Sequence, residues 1–312
     1  PSWLMIQTLP YISTVDYKNA INLATAYYAN AIGRYIMNQS PVIKQVVNIW
    51  KQEPADSDNS LMSALQRNQE LKTLVLDETP WVMDADNEAD QKRMLTTFFD
   101  ESAMDYRLAS QLKDLKDLQN SDGSWSWWRG MRGSACITAQ VLQTLARLNV
   151  MTGYQKATAK MIENGMDYLR TVVMKEFEEM KRMEKKGQKP MICDYHAIQY
   201  LYINTLLGKN PFYDSDYVEL KNYLLKYLEA DRHRDIYSKA LMAVVLNGDG
   251  KAKKAKEYVE SIRQYTVTKP GMGTYFDTWH AGYSWFDYRI PTQTAAIEAL
   301  KVVDPADTET IN

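Results

Sequence analysis

The chain has 312 residues, 45% of them hydrophobic and 24% charged, with a formal net charge of −2. That balance suits a folded globular chain with a sizeable core, and it lacks the basic excess or stripe of most nucleic-acid binders. No run of about 18 apolar residues is present, so nothing reads as a membrane span, and two cysteines, Cys136 and Cys193, are too few for a disulfide framework and show no metal-ligand spacing.

Taken in chain order, the predicted elements are overwhelmingly helical. From Asn19 to Met37, Ile21, Ala24, Tyr28, Ile32 and Tyr35 recur at three- and four-residue steps and share one stripe. Long helical patterns cover Ser60 to Leu74 and Glu88 to Leu118. A further periodic run holds Ile137, Val141, Leu145 and Leu148; the next holds Ile198, Leu201, Tyr202 and Leu206. Tyr217, Leu220, Leu224, Tyr227 and Leu228 form another. Helices also fit Ile236 to Leu246, Ala252 to Ile262 and Thr294 to Val303. The mixed-sign run from Lys175 to Lys189 reads as a solvated helix end and a loop. Only Tyr265 to Tyr288 looks strand-like; Gly271, Gly273 and Gly282 break an aromatic-rich stretch there, which predicts a small β-hairpin.

Connections are short and carry turn residues: Gln39-Ser-Pro41, Asn120-Ser-Asp-Gly123, Gly208-Lys-Asn-Pro211 and Asn247-Gly-Asp-Gly250. Short links favour antiparallel neighbours, stacked as helical hairpins. No Gly/Ser- or Pro-rich linker divides the chain, so one domain over 1–312 is expected. The opening at Pro1 reads as the start of a fragment, and a removed export signal would leave no trace. Cys136 and Cys193 read as small buried or partly buried thiols.

The aromatic content is 21 Tyr, 8 Trp and 6 Phe. Tyr and Trp carry a polar end on an apolar body and suit half-wet crevices, which points to an exposed aromatic face. There is also an internal echo. Trp125-Ser-Trp127-Trp128 precedes Thr138-Ala139-Gln140-Val141, and Trp285-Phe286 precedes Thr294-Ala295-Ala296-Ile297. Each is an aromatic loop leading into a helix, as in arrays of helical hairpins.

Several segments carry a family resemblance. Leu9-Pro10-Tyr11 is followed by Tyr17-Lys18-Asn19-Ala20-Ile21-Asn22 and then by Tyr27-Tyr28-Ala29-Asn30-Ala31. This resembles the start of the thioester domain of bacterial alpha-2-macroglobulins: a Leu-Pro-Tyr-like lead, a Cys-x-Glu-Gln core, and a helix with Tyr-Ala-Asn-Ala. Asn19 falls at the Cys position and Asn22 at the Gln position. Asp77-Glu78-Thr79-Pro80-Trp81, Leu118-Gln119-Asn120-Ser121-Asp122-Gly123-Ser124-Trp125, Ile137-Thr138-Ala139 and Tyr288 to Ala295 are similar to further family segments, in order and spacing. The resemblance implies an all-α fold, an α/α toroid of helical hairpins. The family continues with further helices where this chain stops soon after Val303, so a toroid incomplete at its C-terminus is expected. It also implies an extracytoplasmic (periplasmic or cell-surface) location. The implied partners are neighbouring macroglobulin domains of the same chain and proteinases.

The family's thioester forms when a Cys thiolate displaces ammonia from the side-chain amide of a Gln three residues on. Asn19 has no sulfur, and the amide of Asn22 is one methylene shorter than that of Gln. The expectation is therefore a non-catalytic domain, with Asn19 and Asn22 as degenerate thioester positions and no metal or cofactor. Two readings of the pair stand open. Asn side chains at a helix start accept backbone N–H bonds; alternatively, the crevice persists as a binding surface with Tyr17, Trp125, Trp127, Trp128 and Trp285. Some relatives also use a downstream histidine, but Gln119 to Gln140 contains none; His196, His233 and His280 lie elsewhere, and His196 and His280 read as packed or surface residues.

Other toroid functions compete. The Gln119 to Trp125 turn also resembles that of terpene cyclases, which need clustered acids to protonate an alkene or hold magnesium. Asp84, Asp86, Glu88 and Asp90 are spaced differently, at a helix start where acids suit the dipole. A carbohydrate-processing toroid would need a carboxylate pair, for which no specific motif is present. A structural envelope-protein domain is the third possibility.

Overall fold

The computed structural model describes residues 2–52, 88–190, 194–208, 214–230, 234–271, 273–281 and 289–307. The helices are α1 (Ser2–Ile12), α2 (Ala20–Gln39), α3 (Pro41–Gln52), α4 (Glu88–Phe98), α5 (Glu101–Asp117), α6 (Ala135–Thr152), α7 (Lys156–Lys185), α8 (Asp194–Leu207), α9 (Ser215–Ala230), α10 (Ile236–Gly248), α11 (Ala252–Arg263) and α12 (Arg289–Val303). A two-stranded antiparallel hairpin, β1 (Thr266–Lys269) and β2 (Gly273–Phe276), pairs Thr266 with Phe276 and Lys269 with Gly273. A 3-10 turn at Trp279–Ala281 follows it. The fold is all-α with one small β-hairpin, as the periodicity predicts. The predicted helix over Ser60 to Leu74 and the Asp77 to Trp81 segment lie outside the described residues.

The chain divides into two compact units, Pro1–Asn164 and Gly165–Asn312, the division falling inside α7. In the first unit α2 is the central helix and packs against α1, α3, α5 and α6. Its buried positions run nearly all round it: Ala20, Leu23, Ala24, Ala26, Tyr27, Ala29, Asn30, Ile32, Gly33 and Met37. The burial is thus wider than the single predicted stripe, two of whose members lie outside it: Tyr35 is exposed and Ile21 only half-buried. A helix surrounded on several sides needs small residues, not one apolar edge. At Gly33 an added Cβ would stand 2.5 Å from the Phe98 ring.

The Glu88 to Leu118 pattern is two helices. The first ends at Phe98, and Asp100 caps the second, its side chain accepting the Ala103 N–H at 3.0 Å. The Gln39-Ser-Pro41 turn is equally tight. Ser40 N–H donates to the Ile36 carbonyl at 2.9 Å, and Pro41 opens α3 at the position where a missing N–H is harmless.

A buried polar hub holds the first unit together. The Asn30 amide nitrogen donates to the carbonyls of Ala26 and Ser13, both at 2.9 Å, and to Gln111 Oε1 at 3.0 Å. Its oxygen accepts from Arg107 Nε at 2.8 Å. Gln111 Nε2 returns to the Ser13 carbonyl at 2.7 Å, and Arg107 Nη2 reaches the Phe98 carbonyl at 2.5 Å. Ser13 itself is fixed by its hydroxyl, which donates to the Pro10 carbonyl at 2.7 Å. Asn30 thus ties α2 to the α1–α2 connection and the middle of α5, and Arg107 carries the tie on to the end of α4.

In the second unit α10 plays the central part. Ile236, Tyr237 and every residue from Lys239 to Leu246 are buried, and the helix packs against α8, α11 and α12. Asp235 caps it through the Ser238 N–H at 2.8 Å. The helix over Lys156 to Lys185 was legible only as the charged end of a run. Its inner stripe is Met161, Ile162, Met166, Leu169, Val173, Phe177 and Met180, and the methionines and surrounding charge mask its period.

Replacing Asn30 by Ala removes the hub and leaves Arg107 Nε without its acceptor, so a loss of about 2–4 kcal/mol in unfolding free energy is expected. Urea denaturation of the variant beside the parent chain measures it.

Candidate functional site

The start of α2 is built from the residues that carry the resemblance. Asn19 is buried, in an extended conformation (φ −104°, ψ 165°), and its side-chain oxygen accepts the Asn22 N–H at 2.8 Å. This is an N-cap, one of the two readings the sequence leaves open. Asn22 is exposed, and its amide reaches back to the Tyr17 carbonyl at 3.3 Å. That carbonyl also accepts the Asn19 N–H at 2.9 Å. The next donor, the Ala20 N–H, goes to the Trp127 carbonyl at 3.3 Å. The helix start is therefore occupied by its own chain, and it abuts the aromatic loop more than one hundred residues further on.

That loop, residues 119–134, is pinned from within. Gly123 sits at φ 85°, and an added Cβ there would run into the Asn164 carbonyl oxygen. Gln119 Nε2 donates to the carbonyls of Gly123 at 2.9 Å and Met161 at 3.0 Å. The Asp122 carboxylate accepts both the N–H and the hydroxyl of Ser124, at 3.0 and 2.6 Å. Trp125 is 0% exposed. Its indole N–H donates to the Leu115 carbonyl at 3.0 Å in the last turn of α5, where carbonyls lack helical partners. Its backbone N–H donates to Thr138 Oγ1 at 2.8 Å, and its carbonyl accepts the Ser134 N–H at 2.9 Å. Beside Leu115, Asp114 pairs with Lys18 at 2.8 Å. The end of α5 thus holds both the loop and the segment leading into α2.

The structure brings part of the predicted surface together and corrects the rest. Tyr17 is 70% exposed, Trp127 47% and Trp128 46%, and backbone hydrogen bonds join their two segments at the α2 start. Trp125 is no surface residue but the buried anchor of the loop, because its indole finds an apolar pocket and a carbonyl partner together. Trp285 lies outside the described residues. Met131, at 49% exposure, extends the patch, and sequence reading missed it because a lone Met between Gly and Arg has no period.

The remaining candidates are scattered. Cys136 is exposed on the first turn of α6, not buried; the inward positions there are Ile137, Thr138, Ala139 and Val141. Cys193 and His233 lie outside the described residues. His196 Nδ1 is 2.8 Å from Glu176 Oε1, a half-buried pair in the second unit, and the His280 ring lies 5.1 Å from that of Tyr265. Of the four acids, Asp84 and Asp86 lie outside the described residues, Glu88 opens α4, and Asp90 pairs with Arg93 at 2.9 Å. Tyr200 is buried without a hydroxyl partner among the described residues, and desolvation pushes its pKa up to about 12. It acts as an apolar core ring.

Comparison of the sequence with protein-family models finds no match, and comparison with curated proteins finds none either.

The three tryptophans of the loop separate by stability. Trp125→Ala is expected to cost about 3–5 kcal/mol, as a large buried ring leaves a cavity and an orphaned carbonyl. Trp127→Ala and Trp128→Ala are each expected within about 0.5 kcal/mol of the parent chain. Denaturant midpoints of the three single variants check this contrast.

Proposed function

We propose that this chain is the non-catalytic, thioester-like domain of an alpha-2-macroglobulin-like proteinase inhibitor, with the reactive pair replaced by Asn19 and Asn22. The observation that carries the reading is the seating of those two residues. They stand at the first turn of a central helix, three residues apart, against an aromatic loop distant in sequence. Two further resemblance segments meet at one point: the Leu9-Pro10-Tyr11 lead positions Ser13, whose carbonyl accepts from Asn30 of Tyr-Ala-Asn-Ala. An α/α toroid spanning 1–312, neighbouring macroglobulin domains, proteinases as targets and an extracytoplasmic setting belong to the same proposal.

In this reading the domain forms no acyl bond to a target. Position 19 has lost the sulfur that would be both nucleophile and leaving group, and its amide serves as a helix cap. Inhibition would then be steric, with the domain contributing interfaces that hold the protein before and after cleavage by a proteinase.

The test is made on the full-length parent, mixed with a panel of proteinases and followed by native-gel mobility and residual activity on large and small substrates. A mobility shift, with activity lost on large substrates only and no covalent adduct, is the expected result. Unchanged mobility with full activity on large substrates would remove the inhibitor reading.

A further inference from the structure

The outward half of the aromatic loop is tied to the start of α2 through the Trp127 carbonyl, while its large side chains stand in solvent. Trp127, Trp128 and Met131 are each close to half exposed, and Tyr17, on the segment that leads to the Ala20 N–H bonded to the Trp127 carbonyl, more so. Exposing rings of this size to water is costly, and clustering them on one edge is the mark of a surface meant to be covered. Arg129 and Arg132 alternate with them along the loop. Both are exposed, and neither makes an ion pair or side-chain hydrogen bond with any described residue. The carboxylate nearest in influence, Asp117, is already held by Lys113 at 2.7 Å. The guanidinium groups are therefore available to an incoming acid.

The mounting is as informative as the composition. The inner half of the loop is fixed by Trp125, Gln119, Asp122 and the Ser134 cap, so its backbone is already ordered before anything binds. A patch presented on an ordered backbone loses little entropy on docking. Tyr, Trp, Met and Arg are the residues enriched at the centres of protein–protein interfaces, where Lys is depleted. Flat sugar rings would be served by the tryptophans alone. The two unpaired guanidinium groups call for carboxylates as well, and their planar forks match carboxylates bidentately.

We propose that the edge formed by Tyr17, Trp127, Trp128 and Met131, flanked by Arg129 and Arg132, docks an acidic protein segment that presents apolar side chains between its carboxylates. This docking rests on the proposed reading of the chain as a non-catalytic domain that contributes interfaces, and it names one such surface and the chemistry of its partner. The apolar side chains cover the exposed rings, and the carboxylates take the two arginines at the rim. Affinity comes from the first, while register and salt dependence come from the second.

The test uses the whole chain and synthetic peptides, with intrinsic tryptophan fluorescence and calorimetry as readouts. One peptide alternates Glu with Leu and Phe; a second carries Lys in place of Glu; a third carries Ser in place of Leu and Phe. An acidic oligosaccharide is the fourth probe. The first peptide is expected to bind on the order of tenfold or more tighter than the other three, with affinity falling as salt rises. The double variant R129E/R132E is expected to reverse the preference between the first two peptides. Trp127→Ser/Trp128→Ser is expected to abolish binding while far-UV circular dichroism stays unchanged. Equal binding of the first and third peptides, binding of the oligosaccharide alone, or no binding to any probe would overturn the proposal. None of these results depends on the proteinase assay of the parent protein, so the two readings fail separately.

Discussion

Asn30 is a fully buried amide that makes four hydrogen bonds, one within its own helix and three to two other parts of the chain, the α1–α2 connection and α5. A buried amide left unpaired costs more than most single apolar contacts gain. The helices around it must therefore adopt the one arrangement in which all its partners arrive together. Arg107 meets the same demand from the other side. Burial draws its guanidinium pKa down from its usual value, and it is placed against the Asn30 oxygen, the Phe98 carbonyl and the face of the Phe98 ring at 5.5 Å. The central helix is rich in Ala, with Gly33 at its tightest contact, because its neighbours close in on most of its circumference. The polar hub then decides at what register they do so.

Register fixes the edge. With α2 set against α5, the first turn of α2 and the last turn of α5 stand at the same end of the first unit, and the 119–134 loop is captured between their polar groups. Trp125 satisfies a carbonyl at the end of α5, and Trp127 offers its carbonyl to the start of α2. One aromatic residue goes inward as an anchor, and the next two, carried by the same short segment, point out. Core and surface are here consequences of a single turn. The glycines at 123 and 133 are required by it: a side chain at the second would strike Ser124.

Much of this was legible in the sequence. Helical periods and turn residues located most elements; at the start of α2 the sequence left a capping and a crevice reading open, and Asn19 caps the helix while the Asn22 side chain donates to the Tyr17 carbonyl. The hairpin was visible from its glycines. What was not legible depended on tertiary packing. Trp125 and Trp127 differ in sequence only by position, and nothing local says that the first meets the Leu115 carbonyl. The break at Asp100 inside a long helical pattern is a cap that competes with continuous periodicity. The stripe on α2 does not mark its core because a helix packed over most of its circumference has no single buried face. Asn30 stood in the sequence as part of a resemblance; only the fold makes it a hub.

The proposed history of the α2 start, a reactive pair turned into a cap, is tested most directly by putting the pair back. Asn19→Cys with Asn22→Gln restores thiol and amide three residues apart on an otherwise unchanged scaffold, at the cost of a cap contributing about 1 kcal/mol. Attack of the Cys thiolate on the Gln amide carbon would form the C–S bond and release ammonia. Intact mass measurement of the folded double variant is predicted to show loss of one ammonia, reversed by methylamine as an adduct of one amine. A folded double variant that keeps its full mass and a titratable thiol at position 19 would contradict the account.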